Sequence, residues 1–337
     1  MVSPTLPVDV PPQPWTGRFD GDGAEHRRWW QAVGAYPASA LPNPTAPLAA
    51  RPSAGNPAPD GRPATGRPAV VLGFCSDAGV RRNSGRTGAA AGPAAIRAAL
   101  GPLAFHLTRS VHDAGNVTVA GDALEAGQAR AGLAIAGLLD AGALPVVLGG
   151  GHETAFASYL GVAGSAAVRD GLRVGVLNLD AHFDLRDAPA PSSGTPFLQM
   201  ARAEAAAGRG LRYAVVGISE PNNTRALFRT ADELGVDYLL DEDCSAEATS
   251  SFVASFLASV DALYLTIDLD VLPASVAPGV SAPAAFGVPL AVISAVCRQV
   301  AASGKLLHLD VAELNPEFDI DGRTAKVAAR LIDTLLR

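Results

Sequence analysis

Three segments of the sequence place acidic and histidine side chains directly after an apolar run. The segment NLDAHFDLR carries Asp180, His182 and Asp184 at the end of the run LRVGVLNL. These residues are spaced two apart, so in an extended chain their side chains project to one side. A near-continuous apolar run is typical of a buried parallel strand, which puts these side chains at the mouth of a sheet. The spacing therefore predicts a set of metal ligands.

Two further segments repeat this arrangement. ALYLTIDLD delivers Asp268 and Asp270 after a strand that ends near Ile267, and LPVVLGGGHE leads from a strand through three glycines to His152. Open α/β sheets bind ligands at the carboxyl ends of their strands. Each aspartate taken alone has another interpretation, because Asp is a favoured cap for a following helix. Three strand ends that together carry four aspartates and two of the six histidines favour metal binding.

The candidate ligand set is larger than one ion needs. Four carboxylates and two imidazoles exceed the three protein ligands typical of a catalytic zinc ion, so they suit two ions. A carboxylate-rich set favours Mn²⁺, although affinity does not exclude Zn²⁺, Co²⁺ or Ni²⁺. Two ions about 3.5–4 Å apart can lower the pKa of a shared water from about 15.7 towards neutrality. The set therefore predicts two Mn²⁺ per chain and hydrolysis at an electrophilic carbon.

A Gly- and Arg-rich loop is the second functional candidate. The loop CSDAGVRRNSGRTGAAAGP follows a predicted strand from Ala69 to Phe74. A solvated basic turn is the plain interpretation. In an acidic protein, beside a predicted metal site, the loop favours anion binding. The candidate residues are Arg81, Arg82, Asn83 and Arg86.

One more acid stands out near the C-terminus. Glu313, in DVAELNP, follows a predicted strand from Leu306 to Val311. We expect it at the same edge of the sheet as the ligands. A structural cap is the alternative role for this residue.

Composition sets the class of protein. With 337 residues, 48% of them hydrophobic, the chain can bury a large core. A net charge of −7 and a sequence pI near 5.4 argue against nucleic-acid or anionic-membrane partners and leave a small molecule as the ligand. Three widely spaced cysteines indicate neither a disulfide framework nor a thiolate zinc cluster. The N-terminus lacks the pattern of a signal peptide, which favours a cytoplasmic location.

Strands alternate with helices along most of the chain. This alternation predicts an α/β fold, a three-layer doubly wound parallel sheet. Its elements include a short strand from Val117 to Val119 and a helix from Met200 to Ala207. We expect residues 69–337 to form the catalytic domain and residues 1–68 to form an extension. That extension contains a short helix and a Pro-rich linker from Pro37 to Pro68.

The motifs GGGHE, DAHFD and IDLD in this order, with ELNP near the end, resemble those of the ureohydrolase family of arginases and agmatinases. The resemblance runs from about Val70 to the C-terminus and implies an arginase-like fold. GFCSDAGVRRNSGRTGAAAGP, SSGTPF and VAELNPEFDIDGRTAKVAARL are similar to the formimidoylglutamase branch of that family. Members of that branch hydrolyse N-formimidoyl-L-glutamate to L-glutamate and formamide in histidine degradation.

The resemblance implies roles for the matching residues. Glu313 matches the family acid that receives the amidine-type group. Asp184 is expected to take a proton from the attacking water and pass it to the departing amine. The expected ligands are His152, Asp180, Asp184 and Asp268 for one manganese ion, and His182, Asp180, Asp268 and Asp270 for the other.

Substrate contacts are expected from other residues. Arginases and agmatinases carry a His-Gly pair where this chain has Ser193 before a glycine, which counts against a guanidino substrate. N-formimidoyl-glutamate has two carboxylates, so it needs cationic donors. We expect Arg186, two residues beyond Asp184, to bind one carboxylate and the Arg81 to Arg86 loop to bind the other. An ion pair of Arg186 with Asp187 or another local acid is the alternative.

Other functions stay open at this point. A guanidino hydrolase acting on arginine, agmatine or a guanidino acid is the main alternative within the family. The dinuclear ligand pattern disfavours a metal deacetylase of the same fold. A non-catalytic metal-binding scaffold or assembly partner is the alternative outside enzymes. The oligomeric state, including a homo-oligomer, is left open by the sequence.

Overall fold

The fold is built on one parallel sheet. A computed structural model describes residues 8–37 and 66–337. Within these residues, the strands are β1 (Gly34–Ala35), β2 (Ala69–Cys75), β3 (Val111–Thr118), β4 (Leu144–Leu148), β5 (Val174–Leu179), β6 (Tyr213–Ile218), β7 (Asp237–Leu240), β8 (Ala262–Asp268) and β9 (Leu306–Ala312). They lie in the order β1-β3-β2-β4-β9-β8-β5-β6-β7, and every pairing is parallel.

From β2 to β9, helices connect successive strands, as a parallel sheet requires. The helices in the described residues are α1 (Trp29–Ala32), α2 (Ala78–Arg82), α3 (Gly92–Leu100), α4 (Leu124–Asp140), α5 (Thr154–Gly164), α6 (Ala166–Arg169), α7 (Pro196–Ala206), α8 (Arg225–Glu233), α9 (Ala246–Ser259), α10 (Leu290–Ser303) and α11 (Arg323–Leu336). None of the described helices is long and apolar enough to cross a membrane.

The sheet is covered on both faces. Val71 of β2 belongs to an apolar core shared with α3, α9, α10 and α11. Its neighbours Val70 and Leu72 belong to a second core shared with α4, α5, α7 and α8. Because successive side chains of a strand point to opposite faces, this alternation identifies three layers. The predicted three-layer doubly wound parallel sheet is confirmed.

The N-terminal residues pack against this sheet. β1 pairs with β3 at the sheet edge. Trp29 is fully buried, stacks on Trp15 with ring centroids 6.4 Å apart, and donates from Nε1 to Asp333 Oδ1 at 3.1 Å. Trp29 therefore belongs to the same core as the helices and strands of residues 69–337, and the division of the chain into an extension and a catalytic domain stays a prediction. Most of the predicted Pro-rich linker, residues 38–65, lies outside the described residues.

Three local predictions differ from the structure. β3 begins at Val111, whereas the sequence indicated only residues 117–119, because the buried Asp113 interrupts the apolar pattern. Arg97 Nε pairs with Asp113 Oδ2 at 2.8 Å, and this ion pair offsets the free-energy cost of burying the carboxylate. The Gly- and Arg-rich loop contains the one-turn helix α2. The helix α7 begins at Pro196 and not at Met200, since proline suits the first turn of a helix.

Candidate metal centre

Six acidic and histidine side chains meet at the carboxyl edge of the central strands. β4, β9, β8 and β5 are neighbours in the sheet, so the segments that follow them emerge side by side. His152 follows β4 and Asp180 follows β5, whereas Asp268 ends β8 and Asp270 lies in the turn after it. The parallel direction of these strands therefore brings distant parts of the chain to one place.

The first group contains His152, Asp180, Asp184 and Asp268, with one ligand atom of each lying within 4.8 Å of the others. His152 Nδ1 lies 3.0 Å from Asp180 Oδ2, 3.0 Å from Asp184 Oδ2 and 3.1 Å from Asp268 Oδ2. Three carboxylate oxygens thus converge on a single ring nitrogen, which has at most one proton to donate. A bound cation satisfies such an arrangement better than one proton does.

The second group contains Asp180, His182 and Asp270. His182 Nδ1 lies 3.0 Å from Asp270 Oδ2 and 3.4 Å from Asp180 Oδ1. Asp180 therefore belongs to both groups and turns one oxygen towards each. Asp268 falls only in the first group, and its Oδ1 atom accepts a 2.8 Å hydrogen bond from the Asp270 amide. The expected contact of Asp268 with both ions stays a prediction.

The site carries more negative charge than its protein neighbours balance. All four aspartates are buried. Within residues 8–37 and 66–337, the two imidazoles are the only basic groups at ion-pair distance from them. Buried carboxylates are unfavourable unless they are paired, hydrogen-bonded or bound to metal. The donor set therefore fits two divalent cations, and its oxygen-rich character suits Mn²⁺.

The pKa shifts follow from this crowding. Burial opposes charge on His152, yet hydrogen bonds to Asp180, Asp184 and Asp268 raise its pKa well above the usual value. Burial, followed by the charges of Asp270 and Asp180, raises the pKa of Asp268 well above its usual value. The buried carboxylates thus repel one another and share few protons. A divalent cation between them would relieve this repulsion.

The glycines before His152 are required by close packing. A Cβ atom on Gly150 would lie 1.7 Å from the Ser76 carbonyl oxygen. Next to His152, the buried Glu153 accepts hydrogen bonds from the Ser76 hydroxyl at 2.7 Å and from the Gly79 amide at 2.9 Å. These contacts hold the loop after β2 against the loop after β4. They thereby fix the path along which His152 leaves the sheet.

Two acids at this edge have a left-handed backbone. φ is +49° at Asp184 and +69° at Glu313, a conformation that is uncommon for residues other than glycine and that clusters at functional sites. Glu313 Oε1 accepts a 2.8 Å hydrogen bond from the His152 amide. Burial, followed by the charge of Glu153, raises the pKa of Glu313 to about 8. Its Oε2 atom is buried and has no hydrogen-bond partner among the described residues.

A polar rim lies beside the site. Arg186 Nη1 donates to Asn83 Oδ1 at 2.6 Å, and Asn83 Nδ2 donates to Ser193 Oγ at 3.1 Å. Asp187 pairs with Arg202 at 2.9 Å, so the ion pair with Arg186 that the sequence left open is not formed between these residues. Arg186 and Arg202 line a surface cavity of about 160 Å³. In the described part of the chain, no carboxylate lies within ion-pair distance of Arg186.

The arginines of the Gly- and Arg-rich loop contact protein groups. Arg81 and Arg82 end the helix α2. Anion binding by these guanidinium groups stays a prediction, and it would require them to exchange partners. The partners are Asp122 for Arg81 at 2.8 Å, Glu125 for Arg82 at 2.8 Å, and the Ser281 carbonyl at 3.0 Å with the Phe318 ring at 4.0 Å for Arg86.

Two buried residues that contact the ligands were not predicted. Asn178 Nδ2 donates to Asp180 Oδ2 at 2.9 Å, and Thr266 Oγ1 lies 3.0 Å from His152 Nε2. Asn178 precedes Asp180 by two residues, and Thr266 likewise precedes Asp268. This spacing places each on the face of its strand that carries the ligand. The sequence contains that signal, but it does not identify the partner on another strand.

Comparisons with known proteins agree with this geometry. Residues 67–337 match the model of the Arginase family. The chain is 56% identical over 322 residues to a formimidoylglutamase of Nocardia farcinica, covering 96% of this chain and 95% of that protein. It is 53% identical over 330 residues to a formimidoylglutamase of Rhodococcus jostii, covering 97% of this chain and 96% of that protein.

A solved structure shows the same fold. The crystal structure of Trypanosoma cruzi formiminoglutamase with Mn²⁺₂ matches with a TM-score of 0.72 at 24% identity, covering 80% of this chain and 92% of that chain. At this identity the match is informative about the fold alone.

Proposed function

From the premise that this chain belongs to the arginase family, we propose that it hydrolyses N-formimidoyl-L-glutamate to L-glutamate and formamide. The observation that carries the proposal is the pair of metal-binding groups that share Asp180, next to a rim arginine without a carboxylate partner among the described residues. Relatives of 56% and 53% identity that are named for this activity support the choice of substrate.

We assign the two groups to the two-metal centre of an arginase-family hydrolase. Mn²⁺ is the proposed metal, because four of the six side chains offer carboxylate oxygens. When bound, two such ions activate a water molecule and polarise the carbon under attack. The residues that would hold the first ion are His152, Asp180, Asp184 and Asp268, and those that would hold the second are Asp180, His182 and Asp270. Asp268 is proposed as a further ligand of the second ion.

Two acids are proposed to act on the reacting group. Glu313 Oε2 is buried without a hydrogen-bond partner in the described residues. In its ionised form, which a positively charged formimidoyl group favours, it can accept a hydrogen bond from the terminal nitrogen of that group. Asp184 Oδ2 lies within the first metal-binding group, 3.0 Å from His152 Nδ1. From that position, Asp184 is proposed to take the proton of the attacking water and deliver it to the departing amine of glutamate.

The rim is proposed to select a dicarboxylate. Arg186 presents a guanidinium group that hydrogen-bonds to the uncharged Asn83, so a carboxylate can bind it in a bidentate manner. Asn83 Nδ2 and the Ser193 hydroxyl, 3.1 Å apart, are donors for the second carboxylate. Arg81, Arg82 and Arg86 are proposed to hold the loop in place, because their guanidinium groups already contact carboxylates or carbonyls.

A substrate panel tests the proposal. Metal-stripped protein loaded with Mn²⁺ is assayed with N-formimidoyl-L-glutamate, L-arginine, agmatine and a guanidino acid, with formamide and urea quantified separately. We expect kcat/KM for the formimidoyl substrate to exceed the others by several orders of magnitude. Asp180→Asn serves as the inactive control. Urea release from a guanidino substrate at a comparable rate would refute the assignment, and full metal occupancy without turnover of any substrate would indicate a binding scaffold.

A further inference from the structure

A row of buried polar side chains crosses the sheet below the metal-binding groups. Asn178 on β5 is in register with Thr266 on β8, and Thr266 is in register with Asp310 on β9. All three are fully buried. Side chains in register on adjacent strands project from the same face of the sheet. Because a buried polar group is unfavourable unless it is hydrogen-bonded, this row requires a structural or functional reason.

Thr266 connects the row to a metal-binding histidine. Its Oγ1 atom lies 3.0 Å from His152 Nε2, on the side of the ring opposite to Nδ1. Nδ1 faces the oxygens of Asp180, Asp184 and Asp268. An imidazole that binds a cation through Nδ1 carries its proton on Nε2. The Thr266 hydroxyl can then accept that proton in a hydrogen bond while it donates its own hydrogen to another group.

Asp310 is the acceptor placed next to Thr266. The Tyr264 hydroxyl donates to Asp310 Oδ2 at 2.5 Å. Burial raises the pKa of Asp310, and hydrogen bonds from Ser158, Thr266 and Tyr264 oppose that rise. Its Oδ1 atom still lacks a partner of good geometry in the described residues, so it can accept from a rotated hydroxyl. His308 lies 3.9 Å from Asp310 and stays neutral, because burial lowers the pKa of His308 to about 3.

We propose that Thr266 and Asp310 are positioning residues that keep the proton of His152 on Nε2. Asp310 accepts the hydroxyl hydrogen of Thr266, Thr266 accepts the Nε2–H of His152, and the Nδ1 lone pair is left for the metal. A carboxylate bonded directly to a metal-binding histidine has the same effect in other proteins. The inference rests on the proposed assignment of His152 as a ligand. Neither positioning residue belongs to the metal-binding groups themselves.

Three variants separate this role from simple packing. Thr266→Val keeps the shape of the side chain but removes the acceptor for Nε2–H. Thr266→Ser keeps the hydroxyl. In Asp310→Asn, the amide oxygen is expected to keep the hydrogen bond from the Tyr264 hydroxyl, so the NH₂ group faces Thr266. The threonine hydroxyl then donates to Nε2, and the proton of His152 moves to Nδ1. Thr249→Val is the matched control, because Thr249 is buried on α9 and belongs to neither metal-binding group.

Metal affinity is the readout. Dissociation constants for Mn²⁺ are measured on metal-stripped proteins by competition with a chelator, and thermal unfolding of the metal-free proteins checks folding. We expect Thr266→Val and Asp310→Asn to bind the first ion about 10- to 100-fold more weakly. Thr266→Ser and Thr249→Val should stay near the wild-type affinity. All metal-free variants should unfold cooperatively, and Thr266→Val should melt below Thr249→Val, because it leaves the buried His152 Nε2 without a hydrogen-bond partner.

Two outcomes for the Thr266 variants would overturn the inference. Wild-type affinity in Thr266→Val would exclude a role of the hydroxyl, and equal losses in Thr266→Ser and Thr266→Val would indicate packing alone. The serine and valine pair decides the question even if Asp310→Asn fails to fold. Absence of Mn²⁺ binding by the wild type would overturn the metal assignment, and this inference with it. Failure to hydrolyse the formimidoyl substrate despite normal Mn²⁺ affinities would count against the proposed function alone.

Discussion

Replacement of Arg186 by alanine tests substrate recognition at the rim. This guanidinium group hydrogen-bonds to the uncharged Asn83 side chain at 2.6 Å, so it is available to an anionic ligand. A charge-assisted hydrogen bond contributes about 1.5–3 kcal/mol, and about 1.4 kcal/mol corresponds to a factor of ten in kcat/KM. Arg186 is exposed, and solvent screening favours the lower half of that range. We therefore expect kcat/KM to fall about ten- to fortyfold.

The assay is steady-state formamide release by Mn²⁺-loaded Arg186→Ala. The loss should appear mainly in KM if the contact, which is to a carboxylate away from the reacting carbon, is equal in the ground state and the transition state. Metal content should not change. Arg202→Ala is the matched control, since Arg202 lines the same cavity but pairs with Asp187, and we expect at most a threefold loss. Wild-type kcat/KM in Arg186→Ala, loss of metal, or an equal loss in Arg202→Ala would refute the reasoning.

Three further predictions concern metal content and stability. Asp180→Asn should release both ions and Asp270→Asn only one, because Asp180 belongs to both metal-binding groups; two ions retained by Asp180→Asn in elemental analysis would contradict the shared ligand. Trp29→Ala should lower the free energy of unfolding in urea by about 3–5 kcal/mol, because Trp29 is fully buried. Trp30 is partly exposed, so Trp30→Ala should lower that free energy clearly less. Equal losses of stability in the two variants would contradict this prediction. Burial lowers the pKa of His308 to about 3, so between that pH and about 6.5 the unfolded chain binds a proton that the folded chain does not. This group should therefore lower the free energy of unfolding by about 2 kcal/mol from pH 7.5 to pH 5. His308→Asn should lack this part of the decrease. If the free energies of unfolding of wild type and His308→Asn change in parallel with pH, a neutral buried imidazole is refuted.

The fold class follows from sequence because apolar runs and strand ends coincide. The run before Asp180 forms β5, and the run before Asp268 forms most of β8. An extended chain does not, however, explain how the ligands are divided between the two metal-binding groups. His182 and Asp184 fall in different metal-binding groups, although spacing alone put them on one side. The chain bends at Ala181 and His182, directly after β5, and φ is +49° at Asp184. These backbone changes are not visible in the residue types.

The N-terminal part illustrates what sequence periodicity misses. Gly34 and Ala35 form a strand of two residues, too short to show any alternation. Its pairing depends on β3, a strand that the sequence revealed only in part. The burial of Trp29 likewise depends on α11, which supplies Asp333 from the far end of the chain. Contacts of such sequence separation are set by the assembled fold, so local pattern does not predict them.

The sheet also shows why a polar residue inside an apolar run is informative. Residues two apart in a strand lie on the same face of the sheet, so the residue two positions before a ligand at the strand end lies directly below that ligand. Asn178 lies in this position under Asp180 and donates to it directly. His152 extends from a loop and has no such residue on its own strand, so it uses Thr266 of β8. Asp180, at a strand end, is thus supported by a residue of its own strand, whereas His152, in a loop, depends on the register of a neighbouring strand.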